Sequence, residues 1–324
     1  MLKSFRVRNL RSFSSHQDSP FIDIKPLTVL IGKNSSGKST FLRSFPLLRQ
    51  SVEAKTQGPI LWYGAYVDFG GFTEARSNFC DDKCIYFDFK IKAKLSRNLA
   101  QIIFDKKLGV VSHRKEEYGN EKILEDVSVC LGVSSNKAQG ETKIKELSVG
   151  FLGVEYKIEF KDKKQFPGCV LYINGIRQDF DERLKALYSS SFIPEIGILK
   201  TVKLKGGNEK IWNDSYLVEY YQDEMLKLFN STNNGCEIKA DISSIVTLPL
   251  VERAKFNEFL LENSSEEIKE FLLDCNDAFY DELYSLFLHR DLPKHLSAIS
   301  SSIENIFMGV RYIAPLRATA ERFY

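Results

Sequence analysis

Gly32-Lys33-Asn34-Ser35-Ser36-Gly37-Lys38-Ser39 fits the spacing G-x-x-x-x-G-K-[ST] in full, the pattern of a loop that wraps phosphate. Glycine at 32 and 37 lets the backbone turn so that successive N–H groups face phosphate oxygens. A helix opening near Lys38 adds its positive end to the same point. Each side chain then has an expected role. Lys38 reaches β- and γ-phosphates, Ser39 offers its hydroxyl to Mg²⁺, the amides from Asn34 through Ser35 and Ser36 to Ser39 hold the β-phosphate, and Thr40 lies near the α-phosphate. The implied ligand is a nucleoside triphosphate.

Such a loop needs a strand before it and a helix after it. Leu27 to Ile31 reads as a buried strand, and the stretch from Lys38 reads as a helix with a kink or break at Pro46, whose missing N–H cannot bond Leu42. Leu2 to Leu10 reads as a half-buried strand, with Phe5, Val7 and Asn9 inward and Lys3, Arg6 and Arg8 on a basic outer face. Phe21 to Ile24 reads as a second strand. From Tyr63 to about Leu204 the pattern is β, including a hairpin between 150–160 and 169–176 turning near Pro167-Gly168. Helices follow at Tyr216–Phe229, Glu252–Leu261, Glu266–Leu288, where Ser264 and Glu267 form a capping box, and Leu296–Phe307. A short strand, Val310 to Ile313, comes last.

The chain has 324 residues and 43% hydrophobic content, enough for two domains or one large domain with an insertion. No apolar run is long enough for a membrane span and the N-terminus lacks an apolar signal core, so a cytoplasmic, membrane-free protein is expected. Six cysteines are scattered, and even the close pair Cys80 and Cys84 lacks further ligands, so all read as reduced thiols in plain surroundings. The histidines at 16, 113, 289 and 295 lie far apart and none is assigned to chemistry. With 45 basic and 43 acidic side chains the net charge is +2, so bulk charge does not imply nucleic acid. Locally, Lys90, Lys92, Lys94 and Arg97 make a basic strand face that is the expected place for any nucleic-acid contact. Residues 252–291, with eleven acidic against four basic side chains, are expected to meet protein.

Phe5-Arg6-Val7-Arg8-Asn9-Leu10-Arg11-Ser12-Phe13, about twenty residues before the loop, resembles the start of ABC-type ATPases of the SMC, RecF and OLD kind, and Asn34 fits the N-x-x-G-K-S form of their loop. FLRSFPLLRQ (41–50), GPILWYGAYVDFGGF (58–72) and YIAPLRATAERFY (312–324) resemble a bacterial subgroup of stand-alone ATPases linked to phage defence, including the PtuA-like ATPases of Septu and some retrons. The resemblance implies an α/β fold: an ABC-type P-loop ATPase head with an antiparallel β lobe and an α-helical insertion, the C-terminal half of the ATPase being absent. Its expected divisions are an ATP-binding lobe at 1–213, an acidic helical insertion at 214–308 and a return strand at 309–324. It implies ATP and Mg²⁺ as cofactors, a homodimer or higher homo-oligomer that sandwiches ATP, and Arg11 and Ser12 beside the nucleotide.

An ABC-type ATPase also needs a water-activating acid, a signature loop offered in trans and a switch histidine. Leu147 to Phe151 mimics a signature loop but reads as strand; Asp223, Glu224 and Asp274 read as helix residues, so no catalytic residue is assigned. In the families resembled these parts follow a segment like YIAPLRATAERFY, and the chain is expected to be the N-terminal portion of a longer catalytic unit. Three functions stay open: an ATPase switch in bacterial anti-phage defence that controls a partner nuclease or toxin, a RecF- or SMC-like DNA-maintenance clamp, and a nucleotide-binding scaffold that does not hydrolyse.

Overall fold

The protein was analysed as a computed structural model that describes residues 1–14, 19–54, 59–95, 101–105, 110–114, 122–135, 142–161, 167–180, 184–187, 192–204, 207–213, 216–231 and 242–313. Arg97, His16, Cys236 and most of 312–324 therefore lie outside the described residues. In chain order the elements are β1 (Leu2–Arg8), β2 (Ile22–Asp23), α1 (Lys38–Ala54), α2 (Phe72–Ala75), β3 (Cys84–Leu95), β4 (Gln101–Asp105), β5 (Val110–Arg114), β6 (Lys122–Ser135), β7 (Thr142–Phe151), β8 (Val154–Phe160), β9 (Cys169–Ile173) and β10 (Ile176–Arg177). After these come β11 (Leu184–Leu187), β12 (Glu195–Leu204), β13 (Gly207–Asn213), α3 (Tyr216–Ser231), α4 (Ser243–Val246), α5 (Arg253–Glu262), α6 (Glu266–Leu273), α7 (Asp277–Arg290) and α8 (Leu292–Met308).

Eight strands make one sheet in the order β10-β9-β8-β7-β6-β3-β1-β2, every neighbouring pair antiparallel. Strict alternation explains its two faces. In β3, Ile85, Phe87, Phe89 and Ile91 are fully buried on one face, while Tyr86, Asp88 and Lys90 point to the other. On the apolar face Phe5 stacks on Phe89 at 5.3 Å, with Phe307 of α8 edge-on to Phe89 at 5.7 Å and Phe41 and Phe45 of α1 at 5.5 and 5.1 Å from Phe5. This aromatic nucleus seats α1 and α8 on β1 and β3, towards the β2 edge of the sheet. A second apolar cluster, with Phe229, Phe256, Leu272 and Leu283, joins α3 to α7.

The polar face carries an ion triad that no sequence period reveals. Register places Arg6 opposite Asp88 and Arg8 opposite Tyr86. Asp88 accepts from Arg6 Nε at 2.8 Å, Arg8 Nε at 2.7 Å and Arg8 Nη2 at 3.0 Å. Arg8 is buried, not solvated as expected; burial opposes its charge, and the bond and charge of Asp88 outweigh that and raise its pKa.

Four other expectations are corrected. Leu27 to Ile31 is no strand: among the described residues none of its backbone groups has a hydrogen-bond partner, and Leu27, Val29 and Ile31 are 82%, 68% and 91% exposed. Apolar composition favours a strand, but a strand also needs a neighbour to bond, and none of the described strands lies there. Second, α1 runs unbroken through a buried Pro46; Leu42, whose carbonyl loses its partner, is on the exposed side of the helix. Third, Glu266–Leu288 is two helices, because Asn276 caps α7 by accepting from Phe279 N at 3.0 Å, while Ser264 bonds back to Leu260 O and caps nothing. Fourth, Val310 to Ile313 is irregular, with Val310 O bonded by Arg49 at 2.6 Å.

Two predictions follow from these buried polar groups. Asp88→Ala leaves two guanidinium groups without their shared carboxylate and lowers the unfolding free energy by about 3–5 kcal/mol, whereas Lys3→Ala, which removes only surface pairs with the exposed Asp126 and Glu125, changes it by less than about 1 kcal/mol; urea denaturation measures both. His289 Nδ1 lies 2.9 Å from Tyr156 OH, and burial pushes His289 down to about 4. Between that value and the ordinary 6.5 the unfolded chain binds the proton first. This contribution is therefore whole above about pH 6.5 and is lost as pH falls towards 4, by up to about 3 kcal/mol. His289→Gln, compared with the parent across that range, shows a flatter slope.

Candidate functional site

The loop at 32–39 stands where α1 begins, and its backbone has the conformation its composition allows. Ser35 and Gly37 have φ of 63° and 95°, and Phe41 N closes the first helical turn on Gly37 O at 2.9 Å. The first amides of a helix have no partner inside it. Here no described group accepts from the amides of Lys38, Ser39 or Thr40, so they face the loop mouth. Lys38 Nζ bonds Gly32 O and Lys33 O, each at 2.6 Å, closing the loop on itself. An entering phosphate competes with two neutral carbonyls for that ammonium, and a charged acceptor makes the stronger bond.

Gly32, Asn34, Ser35, Ser36 and Ser39 are exposed, Lys38 and Thr40 half-buried, and Gly37 buried. A Cβ at Gly37 would come 2.8 Å from Ser12 Oγ and 3.0 Å from the Phe13 ring. The turn holding Arg11 and Ser12 is thus in direct contact with the phosphate loop. Asn9 and Arg11 take φ of 57° and 50° to make that turn. It is tied by Arg11 N to Ala75 O at 2.8 Å, Ser77 N to Asn9 O at 3.1 Å, and Asn9 Nδ2 to Cys84 O at 2.6 Å and Asp82 O at 2.9 Å. The sequence suggested an inward Asn9 but not its bonds; a lone Asn at a buried strand end was the available signal.

Gln50 was missed altogether. Buried on α1, it donates to Leu61 O at 2.6 Å and Val67 O at 3.2 Å and accepts from Tyr66 N and Val67 N at 3.2 and 3.1 Å. One amide therefore fixes the loop 61–67 that leads to Asp68 and Phe69. Arg11 and Arg43 both lie over the Phe69 ring, with Cζ 4.7 and 5.2 Å from its centroid. Burial first, then the charge of Arg43, lowers the Arg11 pKa, with Asp68 opposing.

Phosphate fits this arrangement because unpartnered amides and one lysine converge on it. Mg²⁺ fits it through the exposed Ser39 hydroxyl, since this ion keeps water and phosphate oxygens for its other positions. Among the described residues no cluster of three or more His, Cys, Asp or Glu could hold a metal without such a ligand. Asp223, Glu224 and Asp274 lie on or at the end of helices, and Leu147–Phe151 is within β7. The expected basic stripe is interrupted by acids and an aromatic: Lys92 pairs with Glu125 at 2.5 Å, and Lys90 Nζ sits 4.6 Å from the Phe21 centroid.

The close contact at Gly37 makes it the loop's least tolerant position. Gly37→Ala lowers stability by about 1–3 kcal/mol, because it adds both a positive-φ penalty and a clash with Ser12. Gly153→Ala, at φ 78° with open space around it, meets only the first cost. Thermal unfolding of the pair separates the two effects.

The sequence profile described as AAA ATPase domain matches residues 1–307. Comparison with curated proteins and with solved structures gives no match. A P-loop ATPase profile that covers nearly the whole chain, together with a loop-and-helix cradle at its expected place, shows that the chain belongs to the AAA ATPase domain family.

Proposed function

We propose that this protein binds and hydrolyses ATP with Mg²⁺ as a switch subunit of a bacterial anti-phage defence complex, controlling a partner nuclease or toxin. The observation that carries the ATP reading is the cradle itself: Lys38 and the unpartnered first amides of α1 beside Gly37, in a chain of an ATPase family. Residues 1–213 act as the ATP-binding lobe, 214–308 as an acidic helical insertion and 309–324 as the return into the head. Two copies sandwich ATP, each giving the other what its own site lacks, so the γ-phosphate is the contact that differs between open and closed states. The defence role rests on the resemblance of 41–50, 58–72 and 312–324 to the PtuA-like ATPases. No described helix is long and apolar enough to cross a membrane, and the cytoplasm is the proposed location.

One observation favours the non-hydrolysing scaffold as a second reading for residues 1–324 taken alone. Among the described residues no carboxylate is bonded to the phosphate loop. The clamp reading is weakened by the pairing of Lys92 and Lys3 with Glu125 and Asp126.

Calorimetry on the 324-residue chain tests the assignment. Lys38→Ala abolishes ATP binding or nearly so and leaves the thermal midpoint in place; Ser39→Ala weakens binding more with Mg²⁺ than without it. Unchanged affinity in Lys38→Ala would refute the site. On the scaffold reading the same chain releases no phosphate at steady state, whereas release that Lys38→Ala removes would favour hydrolysis and reveal a catalytic carboxylate within it.

A further inference from the structure

We propose that Arg49 couples the phosphate loop to the segment after α8: with phosphate seated at the start of α1, the Arg49 bond to Val310 O is held closed and the backbone at 310–313 opens less often. This rests on the nucleotide reading of the loop and names what the switch moves. α1 begins inside the loop at Lys38 and runs unbroken to Ala54, so one rigid element joins the two places. Arg49 stands eleven residues beyond Lys38, roughly 16 Å along the axis, beyond the reach of a phosphate that Lys38 holds. Its guanidinium is spent elsewhere. Nε donates to Glu53 Oε1 at 2.8 Å, Nη1 donates to Val310 O at 2.6 Å, and Cζ lies 4.4 Å from the Tyr66 ring centroid.

Three stretches of chain therefore meet on one side chain. Glu53 gathers them from the other side: its carboxyl is held below the usual range by the bond from Arg49, then by one from the Tyr66 hydroxyl, with burial opposing and Arg311 adding its charge. The neighbours on α1 are tied as well, Gln50 to 61–67 and Ser51 Oγ to Leu61 N at 2.9 Å. Segment 310–313 has fewer holds. Among the described residues its backbone is tied by Val310 N to Phe307 O at 3.0 Å and by Arg49 at the Val310 carbonyl, and Ile313 is 92% exposed. A stretch so lightly held opens locally at small cost. Phosphate gives the open first amides of α1 an acceptor and stops that end from fraying, and the stiffer helix keeps Arg49 on Val310.

Arg311 is exposed, so trypsin reads the opening of this segment as the fragment that ends there. In the 324-residue chain, saturating ATP with Mg²⁺ slows that cleavage at least about three-fold. Arg49→Met keeps an apolar stem and loses the donors; its cleavage runs at one rate with and without ATP, and by reciprocity its affinity for ATP falls about two- to five-fold. A role confined to packing predicts faster cleavage with the ATP-dependent ratio unchanged. Glu53→Gln, at an exposed position, lowers the same ratio and serves where Arg49→Met unfolds. A parent-like ratio in either folded variant, or no slowing in the parent while calorimetry finds ATP bound, overturns the coupling. If calorimetry instead finds Lys38→Ala binding ATP as the parent does, or the parent not binding it, the loop assignment fails first.

Discussion

Close approach at Gly37 governs the geometry of this site. Among the described residues no strand is bonded behind the phosphate loop, and its position is set from two other sides: by α1, of which it is the beginning, and by Ser12 and Phe13, which press on Gly37 where a side chain would be. Each anchor rests on something deeper. α1 is seated by the packing of Phe41 and Phe45 on Phe5, itself stacked on Phe89 beneath α8. The turn at 9–14 is fixed by Asn9 and by backbone bonds to 75–77. Order in the loop is thus inherited from β1 and β3 of the antiparallel sheet.

Legibility in the sequence followed the range of the interactions involved. The loop, the helix after it and the alternating strands were readable because glycine spacing and side-chain period are local. Leu27 to Ile31 was misread because whether an apolar run becomes a strand depends on a neighbour elsewhere in the chain. The Arg6–Asp88–Arg8 triad joins residues about eighty positions apart and exists only once β1 and β3 are in register. The break before α7 was local and was still missed: Ser264 with Glu267 drew attention from Asn276, the residue that caps. Gln50 could not have been read, since nothing in the sequence tells that its two-sided amide will face the loop at 61–67.

Charge is distributed with the same logic. On the polar face of the sheet lysines stand against acids, as Lys157 does between Glu146 and Glu159 at 3.2 and 2.8 Å, so this face offers short-range pairing and little field. Beside the phosphate loop Lys38 bonds only carbonyl oxygens, and Arg11 and Arg43 share the Phe69 ring, so positive charge is concentrated there.

The run Leu27-Thr28-Val29-Leu30-Ile31 has a further consequence. Apolar backbone whose N–H and C=O groups have no partner among the described residues is a template on which chains add to one another. The edges of the eight-stranded sheet are short, two residues each at β2 and β10, which limits such growth there. The five residues next to the phosphate loop have no such limit and are a place where a second chain can add backbone hydrogen bonds.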